Sequence, residues 1–291
     1  MKVRLPGSFD PAHTGSFVSE AQAGEALAAG VRLIADLQSK LAAQSTYALL
    51  VILQGIDASG KDGTVKHVLS GVNPAGVRVI SFKVPTAEEL RHDFLWRHVK
   101  ALPERGVIGI YNRSHYEEVL VARVHPENVE RQNLPPEAVR GNLWLRRMRQ
   151  INEWEHHLVE NGIRLVKLFL NISHDEQRRR LLARIDEPSK NWKFSMADVE
   201  ERRRWDDYMS AYSDVLTHTS TDWAPWYAVP ADHKWFARVA SGAIIVDALR
   251  RIDPRYPTIS PEQHAELEHA RDELTTEQDT KESARTGPGA V

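Results

Sequence analysis

The sequence predicts an α/β fold in which a central five-stranded parallel sheet carries helices on both faces. Three observations predict it. Five short apolar runs recur along the 291 residues, segments of helical spacing separate them, and the first run leads directly into a glycine-rich loop and a helix. Strands joined through helices run parallel, because right-handed crossovers leave little other choice.

Residues 1–19 have no periodicity and contain Pro6, Gly7, Pro11 and Gly15, so they read as an extended arm. From Glu20 to Gln44, Val31, Ile34, Leu37 and Leu41 recur at three- and four-residue steps, which predicts an amphipathic helix. The run Thr46–Leu53 is apolar throughout, as suits a central strand buried on both faces. Further strands are predicted at Val77–Phe82, Val107–Tyr111, Ile163–Ile172 and Trp226–Val229. Between them, the capping box Thr86-Ala87-Glu88-Glu89 predicts a helix closed by Pro103, and Pro135-Pro136-Glu137 predicts a long helix ending near Gly162.

The segment between the fourth and fifth strands is too long for a simple crossover and reads as an inserted helical hairpin. It is rich in charge: Arg178, Arg179, Arg180, Arg184, Lys190, Lys193, Arg202, Arg203 and Arg204 alternate with Asp186, Glu187, Asp198, Glu200 and Glu201. This pattern suits a polyanion-binding stripe or a solvated helix laced with ion pairs. Residues 256–291 are polar and acidic with nothing to bury, and predict a flexible tail. The expected organisation is an arm over 1–19, one domain over 20–255 with the insertion at about 174–215, and the tail.

The chain has no cysteine, which excludes thiol catalysis, Cys-ligated zinc and disulfides. A net charge of -2 argues against indiscriminate nucleic-acid binding, so any polyanion site is local. With no apolar run of about 18 residues and no signal-peptide pattern, the expectation is a cytoplasmic protein without membrane partners. Trp192, Trp205, Trp223 and Trp226 read as core or hinge packing. His156-His157 and the pair His264, His269 lack the i,i+4 spacing of a zinc helix, and Ser59 lacks the surroundings of a nucleophile elbow.

After the first strand comes Gly55-Ile56-Asp57-Ala58-Ser59-Gly60-Lys61-Asp62-Gly63, a G-x-x-x-x-G-K loop in strand–loop–helix context. Its glycines let the backbone wrap an anion, its N–H groups and helix N-terminus point at phosphate oxygens, and Lys61 adds a mobile charge. Gly55, Ala58, Ser59, Gly60, Lys61, Gly63, Thr64 and Lys66 are therefore the candidate phosphate-binding residues. Asp62 stands where a Ser or Thr would usually meet Mg²⁺, and Asp57 adds a second carboxylate to a site meant for anions. Two carboxylates there make sense if Mg²⁺, or Mn²⁺, lies between them and the phosphates. Asp62 would also suit a helix N-terminus for its charge alone. The third strand ends in Asn112-Arg113-Ser114-His115-Tyr116-Glu117, which should face the loop. Arg113 suits a transferring phosphoryl group, or an i,i+4 bridge to Glu117.

These residues, with Trp205-Asp206-Asp207-Tyr208 and Ala224-Pro225-Trp226, resemble the second polyphosphate kinase family over roughly residues 20–250. The resemblance implies a three-layer P-loop kinase fold with a helical lid between strands four and five. It also implies reversible transfer of the terminal phosphoryl group of polyphosphate to an adenine, or guanine, nucleotide. By position, Asp57 would orient the acceptor phosphate with the metal, Lys61 and Arg113 would be catalytic phosphate-binding cations, and Asp62 the second metal contact. Arg123 would add a phosphate contact, as would a lid arginine at Arg178 or within about two residues of it, while Asn112 and Glu117 match the subgroup accepting AMP as well as ADP. A homo-oligomer is implied as well. The alternatives are an ATP-dependent nucleoside or nucleotide kinase, and a non-catalytic polyphosphate- or nucleotide-binding module.

Overall fold

The sheet forms around the most apolar stretch of the chain. In the computed structural model, which describes residues 9–286, strands β1 (Ala48–Gln54), β2 (Val77–Ser81), β3 (Ile108–Asn112), β4 (Ile163–Asn171) and β5 (Trp226–Pro230) pair in the order β2-β3-β1-β4-β5, all parallel. All seven residues of β1 are buried, as its unbroken apolar run predicts. Alternation splits them between two cores: Leu49, Val51 and Leu53 enter one, Leu50 and Ile52 the other.

The first core is closed by α1 (Glu20–Gln44), α2 (Lys61–Val68) and a later helix, through Ile34, Leu41, Val68, Ile245 and Leu249. Ser19 caps α1 by accepting from the Gln22 amide. The second core takes Met148, Ile151 and Leu158 from α3 (Leu143–Glu160). Between β4 and β5 lie α4 (His174–Asp186), α5 (Met196–Arg202) and α6 (Trp205–Thr219), so the insertion is three helices, not a hairpin. From α6, Tyr212, Val215 and Leu216 reach the second core. After β5, α7 (Lys234–Ile252) packs along α1. Truncating a residue such as Ile52 to alanine would cost about 2–5 kcal/mol, because both sheet faces are filled.

Two predicted helices are corrected. The capping box forms, with Thr86 N donating to Glu89 Oε2 at 2.7 Å and Glu89 N to Thr86 Oγ1 at 3.2 Å. Only a turn follows, because His92 is extended and Asp93 restarts the chain by accepting from Leu95 N at 2.9 Å, giving a second short turn at Trp96–Val99. Likewise Pro136–Val139 is a single turn. Gly141 then adopts φ +69°, and Asn142 caps α3 afresh through Leu145 N at 3.1 Å.

Residues 9–19 of the predicted arm contain no helix or strand, while residues 1–8 of it and the terminal 287–291 lie outside the described residues. The described residues fall into two units, one ending at Arg255 and the other starting at Tyr256. The second, expected as a flexible polar tail, carries a helix, α8 (Pro261–Thr286). Its start is a capping box between Ser260 and Gln263, and His264–Glu268 and His269–Glu273 pair one turn apart at 3.6 and 3.9 Å. Of the four clustered tryptophans, Trp226 is buried and Trp205 packs on the first core, but Trp192 and Trp223 are exposed. No helix among the described residues is long and apolar enough to cross a membrane.

Candidate active site

The loop between β1 and α2 sits beyond the carboxyl end of the central strand, where open α/β sheets place ligands. Its path requires its glycines. Gly60 has φ +104°, and a Cβ on Gly55 would lie 2.9 Å from the Leu170 carbonyl oxygen. Lys61 folds back over the loop, donating to Gly55 O at 2.6 Å and Ile56 O at 3.1 Å. Burial, and then the neighbouring Arg113, push its ammonium down to about 8.

Because β1 and β3 pair in register, with Leu53 beside Asn112, the end of β3 is delivered to this loop. Arg113 donates to Asp57 Oδ1 and, at 3.3 Å, to Glu117 Oε2, so both the loop contact and the predicted i,i+4 bridge exist. Arg113 itself has φ +64°, a conformation that costs a non-glycine residue energy and is held by the hydrogen bond its backbone N–H donates to Leu53 O at 3.1 Å. Glu117, and then Asp57, raise the guanidinium above its ordinary value. Burial pushes the Asp57 carboxyl up, yet Arg113 and Lys61 outweigh it and hold the group below its ordinary value, hence ionised. Asn112 Nδ2 donates to Asp62 Oδ1 at 2.6 Å.

Two cavities meet at Arg113. The larger, about 670 Å³, is lined by the loop from Asp57 to Thr64 and by Lys83, Arg179, Arg180, Arg184, Lys190, Lys193, Lys234 and Arg238. Its basic side chains outnumber the acidic Asp57, Asp62, Glu176 and Glu187, so it favours an extended polyanion. The smaller, about 360 Å³, has apolar walls from Val84, Pro85, Leu90 and Val121 and polar ends at Arg113, Glu117, Arg131 and Gln132. Phe82, Lys83 and Arg113 line both.

Most predicted site residues are brought together here: Ala58, Ser59, Gly60, Lys61, Asp62, Gly63, Thr64, Asn112, Arg113 and Asp57 line the larger cavity, Glu117 the smaller, and Gly55 a pocket beside Asp57. Three are not. Lys66 is exposed one turn into α2, outside both cavities. Arg123 donates to Asp214 at 2.5 Å, tying its turn to α6. Arg178 is exposed and pairs with Asp175 at 3.4 Å, because its position on α4 turns it away from the loop.

Arg180, two residues on, is the arginine of this run that meets the loop and lines the larger cavity together with Arg179. It is buried, donating to Ala58 O at 2.9 Å, Ser59 O at 2.8 Å, Asp232 O at 3.1 Å and Glu176 Oε1 at 2.5 Å, and also to Ala231 O. It thus joins the phosphate loop to the segment after β5. Lys83, Lys234 and Arg238 were absent from the sequence-based set; the placement of Lys83 just after β2 was the available signal, whereas α7 carries none. His115 is fully buried and away from both cavities.

Each loop carboxylate has one oxygen engaged, Asp57 by Arg113 and Asp62 by Asn112, and both residues line the larger cavity. No cluster of three or more His, Asp or Glu suited to a metal occurs among the described residues. Two carboxylates with shell positions left for phosphate oxygens and water fit Mg²⁺ better than a cation that needs an all-protein cage. The arrangement suits phosphoryl transfer between a polyanion and a smaller ligand.

The family model described as Polyphosphate kinase 2 (PPK2) matches residues 18–257. An ADP-polyphosphate phosphotransferase of Rhodopseudomonas palustris is 51% identical over 251 residues, 86% of this chain and 87% of the relative. An AMP/ADP-polyphosphate phosphotransferase of Meiothermus ruber is 46% identical over 250 residues, 86% and 90% of the two chains. Among solved structures, polyphosphate kinase 2 from Arthrobacter aurescens TC1 superposes with a TM-score of 0.83 at 39% identity, covering 94% of this chain and 98% of that one.

Proposed function

The chain belongs to the polyphosphate kinase 2 family, and on that premise we propose that it moves the terminal phosphoryl group of inorganic polyphosphate to AMP or ADP, reversibly, where the two cavities meet. The observation that carries this reading is Arg113, which lines both cavities while holding Asp57 and Glu117.

Polyphosphate lies in the larger cavity, where Lys and Arg neutralise its charge as they would a nucleic-acid backbone. The nucleotide fills the smaller cavity, its base against Val84, Pro85 and Leu90 and its phosphate at Arg113. A terminal oxygen of the acceptor phosphate attacks the terminal phosphorus of the chain in line. One P–O bond forms, the bridging P–O bond breaks, and the shortened polyphosphate leaves with the electron pair. Arg113 and Lys61 offset charge on the transferring group, so catalysis is positioning and electrostatics without a covalent enzyme intermediate. Asp57 and Asp62 would hold a divalent cation, for which we propose Mg²⁺ with Mn²⁺ as a substitute; when bound it would neutralise phosphate charge during the transfer. Glu117 and Asn112 act on the acceptor side through Arg113 and Asp62.

The test is ADP and ATP formation from AMP and from ADP with polyphosphate as the only donor, with and without Mg²⁺, and with GMP and GDP in parallel. Phosphorylation from ATP but not from polyphosphate would replace this reading with that of an ordinary nucleotide kinase. A homo-oligomer is part of the same proposal, and a monomer by light scattering removes it.

A further inference from the structure

The second core contains a charged pair where apolar side chains belong. Lys167 lies in the middle of β4, beside Ile52 of β1 and Trp226 of β5, on the same strand face as Leu165 and Phe169. It is fully buried, as is Glu155 of α3. All three ammonium hydrogens are used: Nζ donates to Glu155 Oε2 at 2.7 Å, to Thr219 O at 2.7 Å and to Tyr116 Oη at 3.0 Å. The other carboxylate oxygen of Glu155 accepts from Tyr116 Oη at 2.8 Å and pairs with His115 Nε2 at 3.2 Å. The Tyr116 and Trp226 rings each lie 5.5 Å from Nζ, and the Trp226 indole donates to Thr219 Oγ1 at 2.9 Å.

Stability alone does not explain such a pair, since buried ion pairs exchanged for apolar groups are often neutral or stabilising. Its partners point elsewhere. His115 and Tyr116 open the turn His115–Glu118, which starts two residues after Arg113 and carries Glu117, the residue that holds the Arg113 guanidinium. Thr219 is the last residue of α6, where the inserted helices return to the sheet, and Tyr208 and Tyr212 of the same helix border the pocket that Asp57, Arg113 and Glu117 share. One cluster thus grips both the back of the Arg113 turn and the root of the insertion.

We propose that Lys167 and Glu155 are positioning residues for phosphoryl transfer, holding the Arg113–Glu117 turn and the return of α6 in one fixed relation. The pair touches neither cavity, so it acts through Tyr116 and Thr219. As a statement about kcat, the inference rests on the functional reading above.

The experiment compares the intact wild-type chain with the Lys167→Met/Glu155→Gln double variant and with Tyr116→Phe, at a temperature where circular dichroism shows each folded. For the double variant, the expected result is a fall in kcat of about tenfold or more with the nucleotide KM within about threefold, because alignment and not binding is lost. Amide hydrogen exchange over residues 205–219 should rise by about tenfold relative to α3. Unchanged kcat in the folded double variant overturns the proposal. Should the double variant not fold, Tyr116→Phe decides: a kcat loss of about threefold or more at nearly constant Tm supports the role, and wild-type kcat refutes it. If the wild type transfers nothing from polyphosphate, that failure falls on the functional reading. Exchange over 205–219 then decides the pair alone, and equal protection in wild type and variant overturns it.

Discussion

Replacing Lys61 by arginine separates its charge from its titration. The Lys61 ammonium is buried on the loop carbonyls, and burial followed by Arg113 brings its pKa from 10.5 to about 8. The difference corresponds to about 3 kcal/mol working against the charged form in the folded chain. Because the folded chain binds this proton less tightly than the unfolded one, the penalty is fully present below about pH 8. It is relieved as the pH rises towards 10.5, so stability gains over that window. At pH 8 about half of the Lys61 side chains are neutral, and a bound phosphate chain favours the ammonium. Tripolyphosphate binding should therefore take up about half a proton at pH 8 and almost none at pH 6.5. Calorimetry in buffers of different ionisation enthalpy reads this number, and Lys61→Arg, which keeps a charge that does not titrate, gives the contribution of the ligand's own phosphates. Equal uptake in wild type and Lys61→Arg at pH 8 would refute the reasoning.

Other expectations follow from the same geometry. Asp57→Asn keeps the shape but removes the charge that faces the phosphates, and should lower kcat by about 100-fold or more in the ATP-forming assay; a loss under threefold contradicts its role. Arg180→Ala removes the buried partner of Glu176, which keeps only its pair with the exposed Arg179, and should destabilise by about 1–3 kcal/mol in urea unfolding. Arg178→Ala, an exposed pair with Asp175, should change stability by less than about 1 kcal/mol and leave transfer intact. Chelation with EDTA should abolish transfer from polyphosphate, and Mg²⁺ should restore it; transfer that survives chelation removes the metal from the proposal.

Much of the site was legible because it is local. The spacing of Gly55, Gly60 and Lys61 after an unbroken apolar strand specifies a phosphate loop within a few residues, and parallel pairing brings the end of β3 beside it. The helix predicted at 86–103 broke into turns, and the one predicted at 135–162 ends as expected but starts only at Leu143, both for a local reason. Asp93 and Asn142 are second caps inside each segment, and a cap can interrupt a helix as well as open one. Lys167 was hidden differently: it occupies one position in an apolar strand, and its partners Glu155, Tyr116 and Thr219 lie 12, 51 and 52 residues away.

The sequence by itself determined the class of fold, the loop, its two carboxylates and the presence of a charge-rich insertion, because each depends on neighbours in the chain. Which basic residues face the loop was decided by tertiary structure. Arg178, Arg179 and Arg180 are chemically alike and successive on α4, so each points about 100° from the next. The rotation of α4 is set by burial of Gln177 and Leu181 against the domain, and that places Arg180 on the loop carbonyls and Arg178 in solvent. No periodicity within a run of arginines carries that information, because the contacts that fix it reach to Ala58 and Asp232, far away along the chain.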